Sequence, residues 1–285
     1  MKLCIYDEGR LGVVRNGEIF DATAALDHLP RWRYGIRGGD PLIEALPALL
    51  PHIEAAAAGS APIAAGDVAL KAPVVWPGKL VAAPVNYLDH RAEAMADPTV
   101  FTAAQVARIQ EIGLFLKATS SLVGCSEGIR VARPDRRTDH EVELAVVIGR
   151  TASWVSREAA LDYVAGYSIG LDITVRGPEE RSLRKSIDSY SVLGPWMVTA
   201  DEIDDPGALD FSLEVNGEIR QRSNTRDLVI DVPGLIEMAS SWYTLQPGDV
   251  IYTGTPAGVG PILPGDVLTA RIEKIGTMQV AVQGE

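Results

Sequence analysis

Short apolar runs rich in β-branched residues, broken by Gly, Pro, Asn and Asp, dominate the chain from about residue 79 onward and predict strands. The segments are Leu114 to Lys117, Val142 to Gly149, Val164 to Val175, Trp196 to Thr199, Phe211 to Val215, Ile219 to Arg222, Val250 to Thr253 and Val267 to Ile272. Helical patterns are fewer and peripheral. Asn216-Gly217 suits a two-residue primed turn joining two of these strands. Two near-copies, Leu245-Gln246-Pro247-Gly248-Asp249-Val250 and Leu263-Pro264-Gly265-Asp266-Val267, each feed a strand from a Pro-Gly turn. This is the punctuation of a β-roll or barrel.

The first seventy or so residues read differently. A hairpin is predicted over Gly12 to Phe20 through Asn16-Gly17, and Asp40-Pro41 is a good helix cap and first-turn pair. Pro47 and Pro51 are expected to keep that segment from forming one long helix. The Ala-rich stretch from Ala55 to Ala65, interrupted by Gly59, Ser60 and Pro62, reads as a linker, and Ala72 to Gly78 as an extended connector. The expectation is an α+β, strand-rich protein with a small N-terminal α/β domain over 1–75 and a larger domain over 76–285. Thr102-Ala103-Ala104-Gln105 matches a capping box opening a short helix through Glu111. With Ala94 to Phe101 it forms either a mobile lid or an ordinary surface connection.

Composition narrows the partners. A chain of 285 residues, 47% hydrophobic, can bury a substantial core. Its formal net charge of −12 argues against nucleic acid or an anionic membrane and for a small molecule. Cys4 and Cys125 offer neither a disulfide framework nor a CxxC spacing, and the start of the chain lacks the apolar run of a signal peptide. No apolar run approaches the roughly 20 residues of a membrane span. A cytoplasmic protein is expected.

The candidate chemistry begins at Glu141 and Glu143. Side chains two apart on a strand leave the same face, so two carboxylates stand together at the mouth of an apolar run. They are either the solvated face of an edge strand or part of a cation site. Asp172 favours the second reading, because it lies inside another apolar stretch where a buried charge needs a partner. Three carboxylates make a hard, all-oxygen donor set of the kind that suits Mg²⁺ or Mn²⁺. His90 and Glu93, three apart in a helical pattern, share one helix face, as either a surface pair or a water-activating base; Asp89 competes for His90. Arg176, Arg181, Arg184 and Lys185 reverse the sign locally, as an anionic substrate requires, and Lys185 is the member expected to act. The glycine-rich loop Thr253 to Gly260 lacks the spacing of a phosphate-binding or dinucleotide motif. Its backbone N–H groups and the Thr255 hydroxyl could hold a small carboxylate, or the glycines could serve backbone geometry alone.

Several motifs together resemble the fumarylacetoacetate hydrolase family from about Lys79 to the C-terminus. They are Asn86-Tyr87-x-Asp89-His90-x-x-Glu93, Glu141-x-Glu143-Leu144-Ala145, Asp172, Lys185-Ser186-x-Asp188, Gly194-Pro195, Asn216-Gly217-Glu218 with Gln221, and Pro247-Gly248-Asp249 leading into Thr253-Gly254-Thr255-Pro256-x-Gly258-Val259-Gly260. The resemblance implies a mixed β-sandwich roll, usually homodimeric, and a role in aromatic catabolism. It implies Mg²⁺ (or Mn²⁺) on Glu141, Glu143 and Asp172, and a His90–Glu93 dyad that activates water. Lys185 would face the substrate and Thr255 would bind its carboxylate, with Arg176, Gln221, Tyr87 and Lys117 completing the substrate-binding set. Leu171, Gly177, Ala118 and Ala83-Pro84-Val85 depart from the family's usual residues and border the pocket. The implied reaction is hydrolysis of a C–C bond in an acylpyruvate-type diketo acid through a metal-stabilised enolate. The alternatives on the same scaffold are decarboxylation of an oxaloacetate-like acid, isomerisation of a hydroxydienedioate, and a non-catalytic metal- or ligand-binding protein.

Overall fold

The computed structural model describes residues 1–31, 38–96 and 107–284. The Val142–Ile148 strand runs through the middle of a 12-stranded sheet, antiparallel to Val164–Asp172 on one side and to Val250–Tyr252 on the other. Ser191–Thr199 follows beyond the first neighbour, and Leu80–Ala82 and Phe115–Lys117 beyond the second. The Val142–Ile148 strand is buried along its whole length, which is why it reads as a near-continuous apolar run. Its side chains still alternate. Val142, Leu144, Val146 and Ile148 enter one apolar core, while Ala145 and Val147 enter another on the opposite face.

The first core is shared with a five-stranded sheet that includes Asp210–Val215, Glu218–Asn224, Val267–Ile272 and Gly276–Gln283. The second is closed by the Pro41–Ala58 helix, through Ile43, Leu46, Leu49, Ile53 and Ala57. The architecture is thus strand-rich α+β, a sheet sandwich with a helix on its outer face. Lys2–Tyr6 pairs antiparallel with Ser191–Thr199 and carries Arg10–Arg15, Glu18–Asp21 and Pro62–Ala64 into the same large sheet. Both Asn-Gly hairpins form as expected, with φ of 52° and 82° at Asn16-Gly17 and again at Asn216-Gly217. Among the described residues no helix is long and apolar enough to cross a membrane.

Four expectations need correction. Pro47 and Pro51 do not break the helix, which runs unbroken from Pro41 to Ala58 behind an Asp40 cap whose carboxylate accepts from Leu42 and Ile43 N–H. Both prolines lie on its exposed side, while the apolar stripe opposite holds the helix to the sheet. The Ala55 to Ala65 linker is instead the end of this helix followed by the Pro62–Ala64 strand. The strand expected from Trp196 begins at Ser191, and that from Val164 to Val175 is interrupted at Ile173. The elements not anticipated include the Lys2–Tyr6 and Gly276–Gln283 strands and the Val232–Trp242 helix. Of the candidate lid, residues 97–106 lie outside the described residues; Ile109–Ile112 is a single helical turn.

Because packing rather than propensity maintains the Pro41–Ala58 helix, Ile53→Ala should cost about 2–5 kcal/mol. Pro51→Ala should raise stability by about 1–2 kcal/mol, the gain in helix propensity less the added freedom of the unfolded chain. Denaturant midpoints check both, and a destabilised Pro51→Ala would refute this explanation of the helix.

Candidate active site and metal centre

The strand order delivers several chain segments to one end of the large sheet. Val142 pairs with Leu171, so Glu141 and Glu143 at the start of one strand meet Asp172 at the end of its antiparallel neighbour. Val250–Tyr252 and Leu80–Ala82 run parallel to each other, so the loops that follow them, Thr253 to Gly260 and Ala83 to Tyr87, emerge at that same end. Glu141, Glu143 and Asp172 are 5%, 2% and 1% exposed, which removes the solvated edge-strand reading. One ligand oxygen from each lies within 4.8 Å of the others.

This buried negative charge is met from two sides. The Lys185 ammonium donates to Glu141 Oε2 at 2.7 Å, Asp172 Oδ2 at 2.7 Å and Thr174 Oγ1 at 2.6 Å. Lys117 donates to Asp172 Oδ1 and, at 2.8 Å, to the Tyr190 carbonyl. Arg176 joins Asp139 Oδ2 at 2.7 Å to Glu141 Oε1 at 3.0 Å. Burial alone would raise the Glu141 carboxyl, but Lys185 and Arg176 overcome it and bring it down to about 2. Among the described residues Glu143 has only the Gly254 N–H, at 2.7 Å, as a hydrogen-bond donor. Burial, reinforced by Asp172 and Glu141, pushes its carboxyl well above the ordinary range. Among the described residues Glu143 is thus the carboxylate of the three without an ion-pair partner, and the cluster's all-oxygen donors fit a hard divalent cation.

His90 and Glu93 share a face of the Leu88–Ala96 helix, with His90 Nδ1 3.3 Å from Glu93 Oε2. Burial works against ionisation of Glu93, but His90 and the Gly258 N–H outweigh it and lower its carboxyl. An ionised Glu93 only accepts, so it fixes the His90 proton on Nδ1. The helix is anchored by Asn86, fully buried, whose amide donates to the Ile230 and Thr253 carbonyls at 2.8 and 2.9 Å and accepts from Ile230 N–H at 2.8 Å. Beside it Val85 holds φ of 50°, a conformation that is strained for a β-branched residue.

The glycine-rich loop does bind carboxylates, but the ones it binds here are the protein's own. Gly254 N–H serves Glu143, and Gly258 N–H serves Glu93 at 3.0 and 3.1 Å. Both glycines are required. Each has positive φ, and a Cβ would lie 2.7 Å from Asn86 Cβ at Gly254 and 2.0 Å from the Arg220 carbonyl at Gly258.

His90, the three carboxylates, Arg176, Lys185 and Thr255 line one cavity. Three other expected residues stand behind its wall. Lys117 grips Asp172 from beneath. Gln221 donates to Thr255 Oγ1 at 2.8 Å and accepts from Val142 N–H at 3.1 Å, bracing the loop. Tyr87 is buried and packs edge-on against Phe211. The sequence reading had not assigned roles to Arg181, Arg184 or Phe115, which also line the cavity. The local run of basic residues was the available signal for the two arginines.

Residues 79–283 match the family model described as fumarylacetoacetate (FAA) hydrolase C-terminal. A maleylpyruvate hydrolase of Aquipseudomonas alcaligenes is 56% identical over 285 residues, 99% of each chain. A 2,4-didehydro-3-deoxy-L-rhamnonate hydrolase of a Sphingomonas species is 37% identical, over 87% of this chain and 91% of its own. Among solved structures, the maleylpyruvate hydrolase of Sphingobium sp. SYK-6 in complex with manganese (II) ion and pyruvate superposes with a TM-score of 0.84 at 42% identity, covering 100% of this chain and 99% of that one.

If the carboxylate cluster holds a divalent cation, Mn²⁺ at about 100 times its Kd should stabilise the protein by about 2.7 kcal/mol, read as a rise in Tm. Glu143→Gln should abolish that rise. Without metal it should be no less stable than the parent at neutral pH, because it removes an uncompensated buried carboxyl and keeps an acceptor for Gly254 N–H. An undiminished Mn²⁺ response in Glu143→Gln would exclude Glu143 as a ligand.

Proposed function

The chain belongs to the fumarylacetoacetate hydrolase family, and from that premise we propose that it is a metal-dependent hydrolase cleaving a C–C bond of an acylpyruvate, maleylpyruvate being the case its relatives favour. One observation carries the reading: His90, backed by Glu93, and the Glu141, Glu143 and Asp172 cluster line a single cavity. A base for water and a site for the oxo-acid end are thus within reach of one small substrate.

In this proposal Glu141, Glu143 and Asp172 hold Mn²⁺, with Mg²⁺ a second candidate for the same oxygens. When bound, the cation would polarise the 2-oxo acid and help carry the negative charge of the departing enolate. Glu93 keeps the His90 proton on Nδ1, which assigns Nε2 to take a proton from the water that attacks the distal carbonyl. Lys185 places its ammonium beside the cluster, where negative charge develops as the C–C bond breaks, a contribution of the kind worth ~3–4 kcal/mol for a well-placed donor. Arg176 and Thr255 orient the oxo-acid carboxylate. Lys117 and Gln221 act from behind, fixing Asp172 and Thr255, and Tyr87 supports the segment that carries His90. The proposal includes a catalytic domain over 76–285 with a smaller N-terminal domain over 1–75, joined through the shared sheet. It also includes a homodimer and a cytoplasmic location, with which the two buried free cysteines agree.

The purified protein with Mn²⁺ should convert maleylpyruvate to maleate and pyruvate, and excess chelator should abolish turnover. His90→Ala should lower kcat by roughly 10²–10⁴-fold. Turnover of His90→Ala at the parent rate would remove the water-activating role, and CO₂ release from oxaloacetate with no acylpyruvate cleavage would replace the hydrolase by a decarboxylase. Light scattering should give twice the mass of one chain.

A further inference from the structure

Arg184 lines the cavity and has no part in the chemistry just described. It is 2% exposed, in the Arg181–Lys185 helix. Its Nε donates to the Glu179 carbonyl at 2.9 Å and its Nη1 to the Val175 carbonyl at 3.3 Å. Among the described residues it has no carboxylate partner, and Nη2 makes no hydrogen bond. Burial pushes this guanidinium below its ordinary value, and Arg176 and Arg181 push it further by like-charge repulsion. A buried cation of this kind calls for an anion.

Its surroundings show where that anion would lie. Arg181 also lines the cavity, with its guanidinium carbon 5.5 Å from the centroid of the Phe115 ring, and Lys185 Nζ lies 5.6 Å from the same centroid. One aromatic ring thus lies against both the ammonium at the carboxylate cluster and the arginine side of the cavity. Around that cavity four cations, Arg176, Arg181, Arg184 and Lys185, face three carboxylates. Arg176 and Lys185 are held by Glu141, Asp139 and Asp172, whereas Arg184 makes no ion pair among the described residues. A guanidinium with an uncommitted N–H edge is suited to a planar carboxylate.

We propose that Arg184, supported by Arg181, forms a second anion subsite that receives the distal carboxylate of a dicarboxylic acylpyruvate. The subsite selects maleyl-type substrates over acylpyruvates with an uncharged acyl end. This inference rests on the hydrolase reading and adds to it the residues that read the distal end of the substrate. A purely structural role for Arg184, clamping two backbone carbonyls, would affect all substrates alike.

The test compares kcat/KM for maleylpyruvate and for acetylpyruvate, which lacks the distal carboxylate, in the Mn²⁺-loaded parent, Arg184→Gln, Arg184→Lys and Arg181→Gln. The maleylpyruvate-to-acetylpyruvate ratio should fall about 10- to 100-fold in Arg184→Gln, chiefly through KM, by less in Arg181→Gln, and should be partly kept in Arg184→Lys. If Arg184→Gln does not fold, Arg184→Lys and Arg181→Gln carry the comparison. A ratio within twofold of the parent's in the folded variants, including an equal loss on both substrates, overturns the subsite and leaves the reaction standing. If the parent cleaves neither substrate, the reaction fails, and calorimetry of maleate against crotonate decides the subsite. A maleate preference that Arg184→Gln loses supports it, and no preference overturns it.

Discussion

Negative charge confined at one end of a buried sheet is the constraint around which this structure is arranged. Glu141, Glu143 and Asp172 are almost fully withdrawn from bulk water, and the chain supplies Lys185, Lys117 and Arg176 around them. That compensation is incomplete at Glu143. Full neutralisation by protein side chains would leave no reason for a cation to bind, whereas no neutralisation would strain the fold in its absence. The observed arrangement lies between the two, with lysines on the carboxylates at the sides and one carboxyl still requiring positive charge.

The architecture supplies the rigidity that such crowding needs. The central strand is paired on both edges and packed on both faces, by the second sheet on one and by the Pro41–Ala58 helix on the other. Antiparallel order then places strand starts and strand ends side by side, so short loops from distant parts of the sequence converge without long excursions. The N-terminal strands complete the same sheet through Lys2–Tyr6, so the piece expected to be a separate domain also helps to hold the strand neighbouring Asp172.

What could be read from the sequence was local. Period-two spacing put Glu141 and Glu143 together, period-3.6 spacing put His90 near Glu93, and both Asn-Gly turns needed only two residues to be recognised. Features that depend on the far side of a contact were hidden. Pro47 and Pro51 read as helix breakers because nothing in the sequence shows that they face water. Lys117 was expected to touch substrate, yet it lies beneath Asp172, and Gln221 braces Thr255 from outside the cavity. Arg184 is one of four cations in a basic run of the sequence, and only its burial distinguishes it.

The Thr253 to Gly260 loop gives Glu143 one backbone N–H and Glu93 another. A single stretch of main chain therefore grips both a carboxylate of the proposed cation site and the carboxylate beside His90. Only a few peptide planes separate the two grips, and Gly254 and Gly258 are closed to side chains. Were a cation on one grip and a ligand at the histidine to shift this loop, thermodynamic reciprocity would have each alter the other's binding by the same factor.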